Sequence, residues 1–254
     1  MSAQPEINMS DAVAMLEAEQ VDLESFLRTL TDEQWLTPTP AVGWDVRDQV
    51  SHLADTEEIA LDTMTGGKRQ LNQEALSFPT PEAFTESGCE KGRAMSGPEV
   101  LEWWVRGAVR SRDVLGAKDP KDRVPWGLGM SARSFVSARL METWAHGLDC
   151  RAAVGAPPNE TARMKDVAFL IIRALPYAFR HAQREKPPGE LRVELSFDGE
   201  TWAFGPDEAD NRITGKAGEF CRVGVQRMKL GDAGSLKAEG PLALAALEVA
   251  RAFL

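Results

Sequence analysis

The spacing of apolar residues along this chain first changes period at Pro187-Pro188-Gly189. Upstream, apolar positions recur every three or four residues, which gives each helix one face to bury. Downstream, Glu190-Leu-Arg-Val-Glu-Leu-Ser-Phe197 alternates polar and apolar, as a half-buried strand does. A chain with the two periods in separate blocks must build a helical body and a small sheet, not one continuous sheet.

Stop and start signals divide the first block. Ser10 reads as the N-cap of a first helix whose buried face carries Val13, Leu16, Leu23, Phe26, Leu27 and Leu30. Thr31 to Gln34 fits a capping box for a short turn, and Pro38 to Gly43 breaks it. A second helix begins at Trp44-Asp45, with Asp45 as cap, and runs to about Thr65, where Gly66-Gly67 stops it. Val46, Val50, Leu53 and Leu61 point inward, while His52 falls on another stripe beside Asp48, Asp55 and Thr56. Lys68 to Gly97 is polar, contains Pro79 and Pro81, and reads mostly as loop. Gly97-Pro98 opens a third helix ending near Gly116, with Trp103 and Trp104 as packing residues. The connection to Gly129 lacks the Gly-Lys-Ser/Thr ending of a phosphate-binding loop. Ser131 starts a fourth helix that stops at Gly155-Ala-Pro-Pro158.

Four long helices with one apolar face each predict an antiparallel bundle. A fifth helix spans Thr161 to about Glu185. Asp198-Gly199 signals a hairpin between Glu190–Phe197 and Glu200–Phe204, followed by a helix from Lys216 to about Arg227. A short strand at Leu236–Glu239 and a terminal helix from Pro241 to Leu254 complete the reading. The expected class is α plus α/β: an all-helical domain over 1–157 and a smaller α/β domain over 158–254.

Composition narrows the function. A formal net charge of -10 argues against a nucleic-acid face, which must be basic. No apolar run approaches the roughly 18 residues of a membrane helix, and Met1 to Met9 lacks a signal-peptide layout. Cys89, Cys150 and Cys221, an odd number at wide spacing, suit reduced thiols in a cytoplasmic protein.

The chemistry concentrates in Arg139-Leu-Met-Glu-Thr-Trp-Ala-His-Gly-Leu-Asp149. Glu142 and His146 stand one turn apart on one helical face and can grip a divalent ion with His52 as third ligand. Two histidines and one glutamate resemble a catalytic zinc site with its fourth position open. The plainer reading is an ordinary helical Glu-His pair and an unrelated histidine. His181 has no partner at ligand spacing and reads as structural. Cys150 is a reactive thiol or a small buried hydrophobe, and Cys221 the same. Glu57-Glu58 reads as a solvated face. Trp44 and Trp126 flank the expected pocket mouth.

These residues carry a resemblance. Met130-Ser-Ala-Arg-Ser-Phe135 through Asp149 to Gly155, and Trp44 through Ala54, resemble actinobacterial metal-binding proteins related to mycothiol-dependent maleylpyruvate isomerase, within the DinB-like superfamily. Trp202 to Asp207, Thr214-Gly215, Phe220-Cys221 and Gln226-Arg227 resemble that family's sterol-carrier-like C-terminal domain. The resemblance implies a four-helix DinB-like bundle, a divalent metal, usually zinc, held by His52, Glu142 and His146, and a low-molecular-weight thiol bound at the metal.

Such a site suits a borderline ion and would turn an incoming thiol into the thiolate nucleophile. Thiol addition to an electrophile gives an S-transferase; addition, rotation and elimination give a cis-trans isomerase. Arg139 either binds a substrate carboxylate, orients a ligand or is a solvated helix charge. Asp149 either accepts a hydrogen bond from a ligating imidazole or pairs on the helix surface. Arg222 and Arg227 would act from the C-terminal domain. The expected partners are a small-molecule thiol, possible in mycothiol form, and an electrophilic substrate, with the chain a monomer or homodimer. Two alternatives stand beside this: a non-catalytic ligand-binding protein with a structural metal, and a metal-dependent hydrolase.

Overall fold

The computed structural model describes residues 8–252 and divides into two compact units, the boundary falling between Asn159 and Glu160. The expected signal-peptide test at Met1 to Ile7 lies outside the described residues.

The helical unit contains α1 (Met9–Leu27), α2 (Asp32–Trp35), α3 (Val46–Thr65), α4 (Leu71–Glu74), α5 (Pro81–Arg93), α6 (Gly97–Gly116), a two-stranded ribbon β1 (Arg123–Val124) and β2 (Met130–Ser131), and α7 (Ala132–Ala153). Helix α1 packs on α6 and α7, and α3 packs on the same two, so the four long helices close a ring. Local chemistry sets their ends. Asp45 and Asp48 form a reciprocal capping box at the start of α3, and Gly66 ends it in the left-handed region at φ 75°. Ser96 and Glu99 form the same box on α6, with Pro98 in the first turn. The cap of α1 is Asn8, two residues before the expected Ser10; its Oδ1 accepts from the Asp11 amide at 2.8 Å. The core between the helices holds Leu23, Leu27, Trp35, Val46, Val50, Leu53, Leu101 and Trp104. Trp104 is only 1% exposed, so truncating it to alanine is expected to cost about 3–5 kcal/mol.

The expected loop from Lys68 to Gly97 is a correction. It contains α4, a 3-10 turn at Ala75–Ser77 and the 13-residue α5. Thr80 caps α5 and Pro81 occupies its first turn, where a missing N–H costs nothing. The helix has no apolar stripe because it docks on α3 by close approach and charge. Ser51 donates to the Gly88 carbonyl at 2.6 Å, Lys91 meets Asp55 at 2.6 Å, and Arg93 meets Asp48 at 2.9 Å. A side chain at Gly92 would run into Ser51 Cβ at 2.6 Å.

The second unit holds α8 (Met164–His181), β3 (Leu191–Phe197), β4 (Glu200–Phe204), β5 (Asn211–Lys216), α9 (Ala217–Gly224), β6 (Lys237–Glu239) and α10 (Pro241–Val249). The sheet order is β4-β3-β5-β6, with β3 antiparallel to β4 and parallel to β5. Val193 lies opposite Phe204 and Leu195 opposite Trp202, which puts one apolar face inward. Asp198 and Gly199 both take positive φ, as a tight twisted hairpin turn requires. Strand β5 went unread because Ile213 is its one large apolar residue, too little for an alternation. Helix α10 stops at Val249, short of the expected Leu254, which lies outside the described residues.

All three cysteines are unpaired and buried, and burial pushes each thiol well above its usual range. Among the described residues no helix is long and apolar enough to cross a membrane.

Candidate metal centre

The packing of α3 on α7 brings His52 against Glu142 and His146. Glu142 Oε2 lies 3.3 Å from His146 Nε2 and 4.0 Å from His52 Nε2. The three donor atoms all fall within 4.8 Å of one another. Ligands about 2.0–2.1 Å from a tetrahedral zinc stand about 3.3–3.4 Å apart, so of the three donor pairs His146–Glu142 already has the required spacing, and the two that involve His52 must close for it to join them.

The protonation states suit ligation. Burial, reinforced by the nearby His146, pushes His52 down to about 3, so its ring is neutral at pH 7. Burial alone would raise Glu142. The hydrogen bond and charge of His146, with Arg139 and His52 adding, override it and hold the carboxyl at about 2.

The ring of His146 is oriented from its far side. Nδ1 lies 2.6 Å from Gln49 Oε1, and Gln49 is fully buried. Gln49 Nε2 donates to Thr39 Oγ1 at 2.9 Å, and the Thr39 hydroxyl donates to the Trp44 carbonyl at 2.9 Å. In the neutral ring this places the free lone pair on Nε2, facing an ionised carboxylate. Two acceptors 3.3 Å apart, on side chains that are mostly but not wholly shielded from solvent, are stabilised by positive charge between them, either a proton or a metal ion. The donor set therefore fits a divalent cation.

Trp44 walls the site, with its ring centroid 5.2 Å from that of His52 and 6.3 Å from that of His146. Its indole N–H donates to Glu86 on α5 at 3.2 Å. Trp126, on the turn of the β1–β2 ribbon, packs against Phe135 at 5.1 Å and lies 6.0 Å from the Arg139 guanidinium.

The remaining residues singled out by sequence divide. Arg139 is 2% exposed and bonded to Glu57 Oε1, through Nη2 at 2.9 Å and Nε at 3.1 Å, and to Thr56 Oγ1 at 3.2 Å. Glu57, expected on a solvated face, is instead fully buried; the apolar stripe of α3 gave no hint because its partner comes from α7. Asp149 is buried, and the group that lies against Nδ1 of His146 is Gln49 Oε1. Asp48 and Asp55, beside His52 in sequence, are paired with Arg93 and with Arg69 and Lys91. In the second unit, Arg222 on α9 pairs with Glu160, and Arg227 Nη1 donates to the Val225 carbonyl at 2.9 Å. His181 is exposed and contacts Tyr177 and Arg251.

Sequence reasoning missed Gln49, Thr39 and the role of Glu57. Gln49 had a usable signal, since it precedes His52 by three residues on one helix. Thr39, in a proline-rich turn, had none.

Fold and site together define a helical bundle that presents two imidazoles and a carboxylate from two of its helices. The sequence comparison then places it: the chain belongs to the mycothiol maleylpyruvate isomerase family, residues 16–151 matching the pattern described as "Mycothiol maleylpyruvate isomerase N-terminal domain". Two uncharacterized proteins of Mycobacterium tuberculosis, from strains H37Rv and CDC 1551, are each 35% identical over 243 residues, covering 95% of this chain and 94% of theirs. The crystal structure of the mycothiol-dependent maleylpyruvate isomerase matches with a TM-score of 0.63 at 13% identity, over 96% of this chain and 97% of that one. A mutant of the same enzyme matches at 0.62 and 12%, with the same coverage. At that identity the likeness shows the fold.

Proposed function

We propose that this protein is a metal-dependent enzyme that uses a low-molecular-weight thiol, of the mycothiol type, for cis-trans isomerisation or S-transfer. The observation that carries the reading is the facing pair His146 Nε2 and Glu142 Oε2, 3.3 Å apart, with His52 Nε2 completing a three-donor set. Family membership supports the thiol. His52, Glu142 and His146 would hold the ion, for which two neutral imidazoles and a carboxylate favour zinc. Bound there, zinc would supply Lewis acidity that makes an incoming thiol acidic enough to act as a nucleophile at neutral pH.

The chain's own residues do the rest. Gln49 holds the His146 ring in place, and Trp44 shields the site from bulk water. Arg139, bonded to Glu57 and Thr56, positions α7 against α3 and adds positive field at the ligands. That assigns it a positioning role in place of substrate binding. Asp149, three residues after His146, enters the reading as a candidate acceptor for a ligating imidazole, and Arg222 and Arg227 enter it through the family resemblance, as candidate cations for an acidic electrophile. A cytoplasmic location agrees with three reduced cysteines.

The test is turnover of the zinc-loaded protein with mycothiol and a panel of electrophiles that includes maleylpyruvate. The expected result is thiol-dependent conversion that vanishes in Glu142→Ala and His146→Ala. Stoichiometric zinc with no conversion above the blank for any electrophile would sink the enzymatic reading.

A further inference from the structure

We propose that Thr39 and Gln49 form a tautomer clamp, whose job is to keep the proton of neutral His146 on Nδ1 and so leave Nε2 free to bind a cation. This deepens the metal reading above and, where it concerns affinity, rests on it.

The argument is one of donor and acceptor polarity. A glutamine amide can present either its oxygen or its NH2 to a neighbouring ring, and the two ends are nearly the same shape. If oxygen faces Nδ1, the ring must donate from Nδ1 and Nε2 is a lone pair. If NH2 faces Nδ1, the ring must accept there, the proton moves to Nε2, and that nitrogen can no longer ligate. Gln49 alone cannot choose. Its environment chooses for it, because its other end meets Thr39 Oγ1 at 2.9 Å. That hydroxyl has already given its single proton to the Trp44 carbonyl at 2.9 Å, so toward Gln49 it can only accept. The NH2 must therefore point to Thr39 and the oxygen to His146, which agrees with the short 2.6 Å contact. Gln49 has no solvent exposure, so no water repairs a wrong orientation. The direction of every proton is set by one backbone carbonyl, whose own position is fixed by the turn before α3, where the Thr39 amide also donates to it at 2.8 Å.

The clamp makes a prediction that a mere packing role does not. A carboxylate has no donor end, so Gln49→Glu presents an acceptor to His146 whichever way it turns. In that background the hydroxyl of Thr39 loses its directing task. Four proteins decide the matter: wild type, Thr39→Val, Gln49→Glu and the double variant. Two readouts are taken on each. The first is the position of the ring proton of His146, from two-bond 15N–1H correlation spectra of metal-free protein at about pH 9, where an unperturbed imidazole is neutral. The second is zinc affinity by chelator competition.

Expected are an Nδ1 proton in the wild type and a mixture with Nε2 in Thr39→Val. Zinc affinity should fall about 10–100-fold in Thr39→Val, the usual scale for a residue that orients a metal ligand. Gln49→Glu should keep the Nδ1 proton, and adding Thr39→Val to it should change zinc affinity by less than about twofold. An Nε2 proton in the wild type overturns the clamp, as does an equal loss from Thr39→Val in both backgrounds. If the ring proton sits on Nδ1 in the wild type and spreads to Nε2 in Thr39→Val, but the wild type binds no zinc, the clamp stands and the metal reading falls. If zinc binds tightly and Thr39→Val changes neither readout, the metal reading stands and the clamp falls.

Discussion

Two buried polar clusters join α3 to α7, one helical turn apart, and they are completed in opposite ways. Moving one turn along α3 from His52 to Thr56 corresponds to moving back one turn along α7 from Glu142 to Arg139, the pairing of antiparallel helices. The lower cluster closes on itself. Arg139 from α7 meets Glu57 and Thr56 from α3, Gln20 from α1 donates to the same Glu57 oxygen at 3.5 Å, and Arg112 from α6 donates to Gln20. Arg139 answers Glu57, Arg112 in turn pairs with Glu17, and all four bundle helices contribute. The upper cluster has an ionised Glu142 and a neutral His52, and the group nearest its carboxylate is the His146 ring, not a permanent cation such as a guanidinium. A balanced buried cluster fixes structure; an unbalanced one is a site waiting for charge.

The contrast can be broken most directly at Glu57. Glu57→Ala strands a buried guanidinium and is expected to destabilise the protein by about 3–5 kcal/mol in urea unfolding, while Glu57→Leu with Arg139→Met should recover most of the loss. A loss below about 1 kcal/mol for the single variant would show that the lower cluster does not hold the bundle.

The upper cluster should behave the other way. Metal-free His146→Ala is expected within about 1 kcal/mol of wild type. Zinc at about 100 times its Kd should stabilise the wild type by about 2.7 kcal/mol and leave the variant unmoved. Equal stabilisation of both would place the ion elsewhere.

A pH titration sharpens the same point. His52 sits near 3 when folded and near 6.5 when unfolded, so the unfolded chain binds the extra proton between those values. Glu142, held at about 2, adds a loss of the same sign below the ordinary glutamate range. The melting temperature of metal-free protein should therefore fall as pH drops from about 6.5 toward 3, and His52→Gln should flatten the upper part of that slope. A wild-type profile already flat there would contradict a neutral buried His52.

The smallest effect is expected at the edge. Lys91 is 44% exposed where it meets Asp55, and Arg69 also holds that carboxylate. Lys91→Ala should cost at most about 1 kcal/mol and leave zinc affinity unchanged.

Much of the helical unit was legible because its signals are local. Asp45, Ser131, Gly66 and Gly97-Pro98 mark helix ends within a residue or two of where they fall. His52, Glu142 and His146 were legible as a set because one pair shares a helical face and the chain holds just three histidines. What sequence could not show depends on partners distant along the chain. Helix α5 buries glycines and ion pairs against α3 in place of an apolar stripe, so its pattern looked like loop. Glu57 looked solvated because the residue that neutralises it lies 82 positions away. Gln49 showed only its place one turn before His52; the ring and the hydroxyl that hold its amide come from elsewhere in the chain.

The Glu57–Arg139 junction also bears on how this sequence can drift. Losing either partner alone leaves a buried charge with only a neutral side chain, Gln20 or Thr56, beside it, so single steps away from the pair pass through a poorly folded ancestor. Replacement of both together escapes that penalty. Among natural relatives, positions 57 and 139 should thus be inherited as a unit, both ionic or both apolar, even where the surrounding surface has diverged freely.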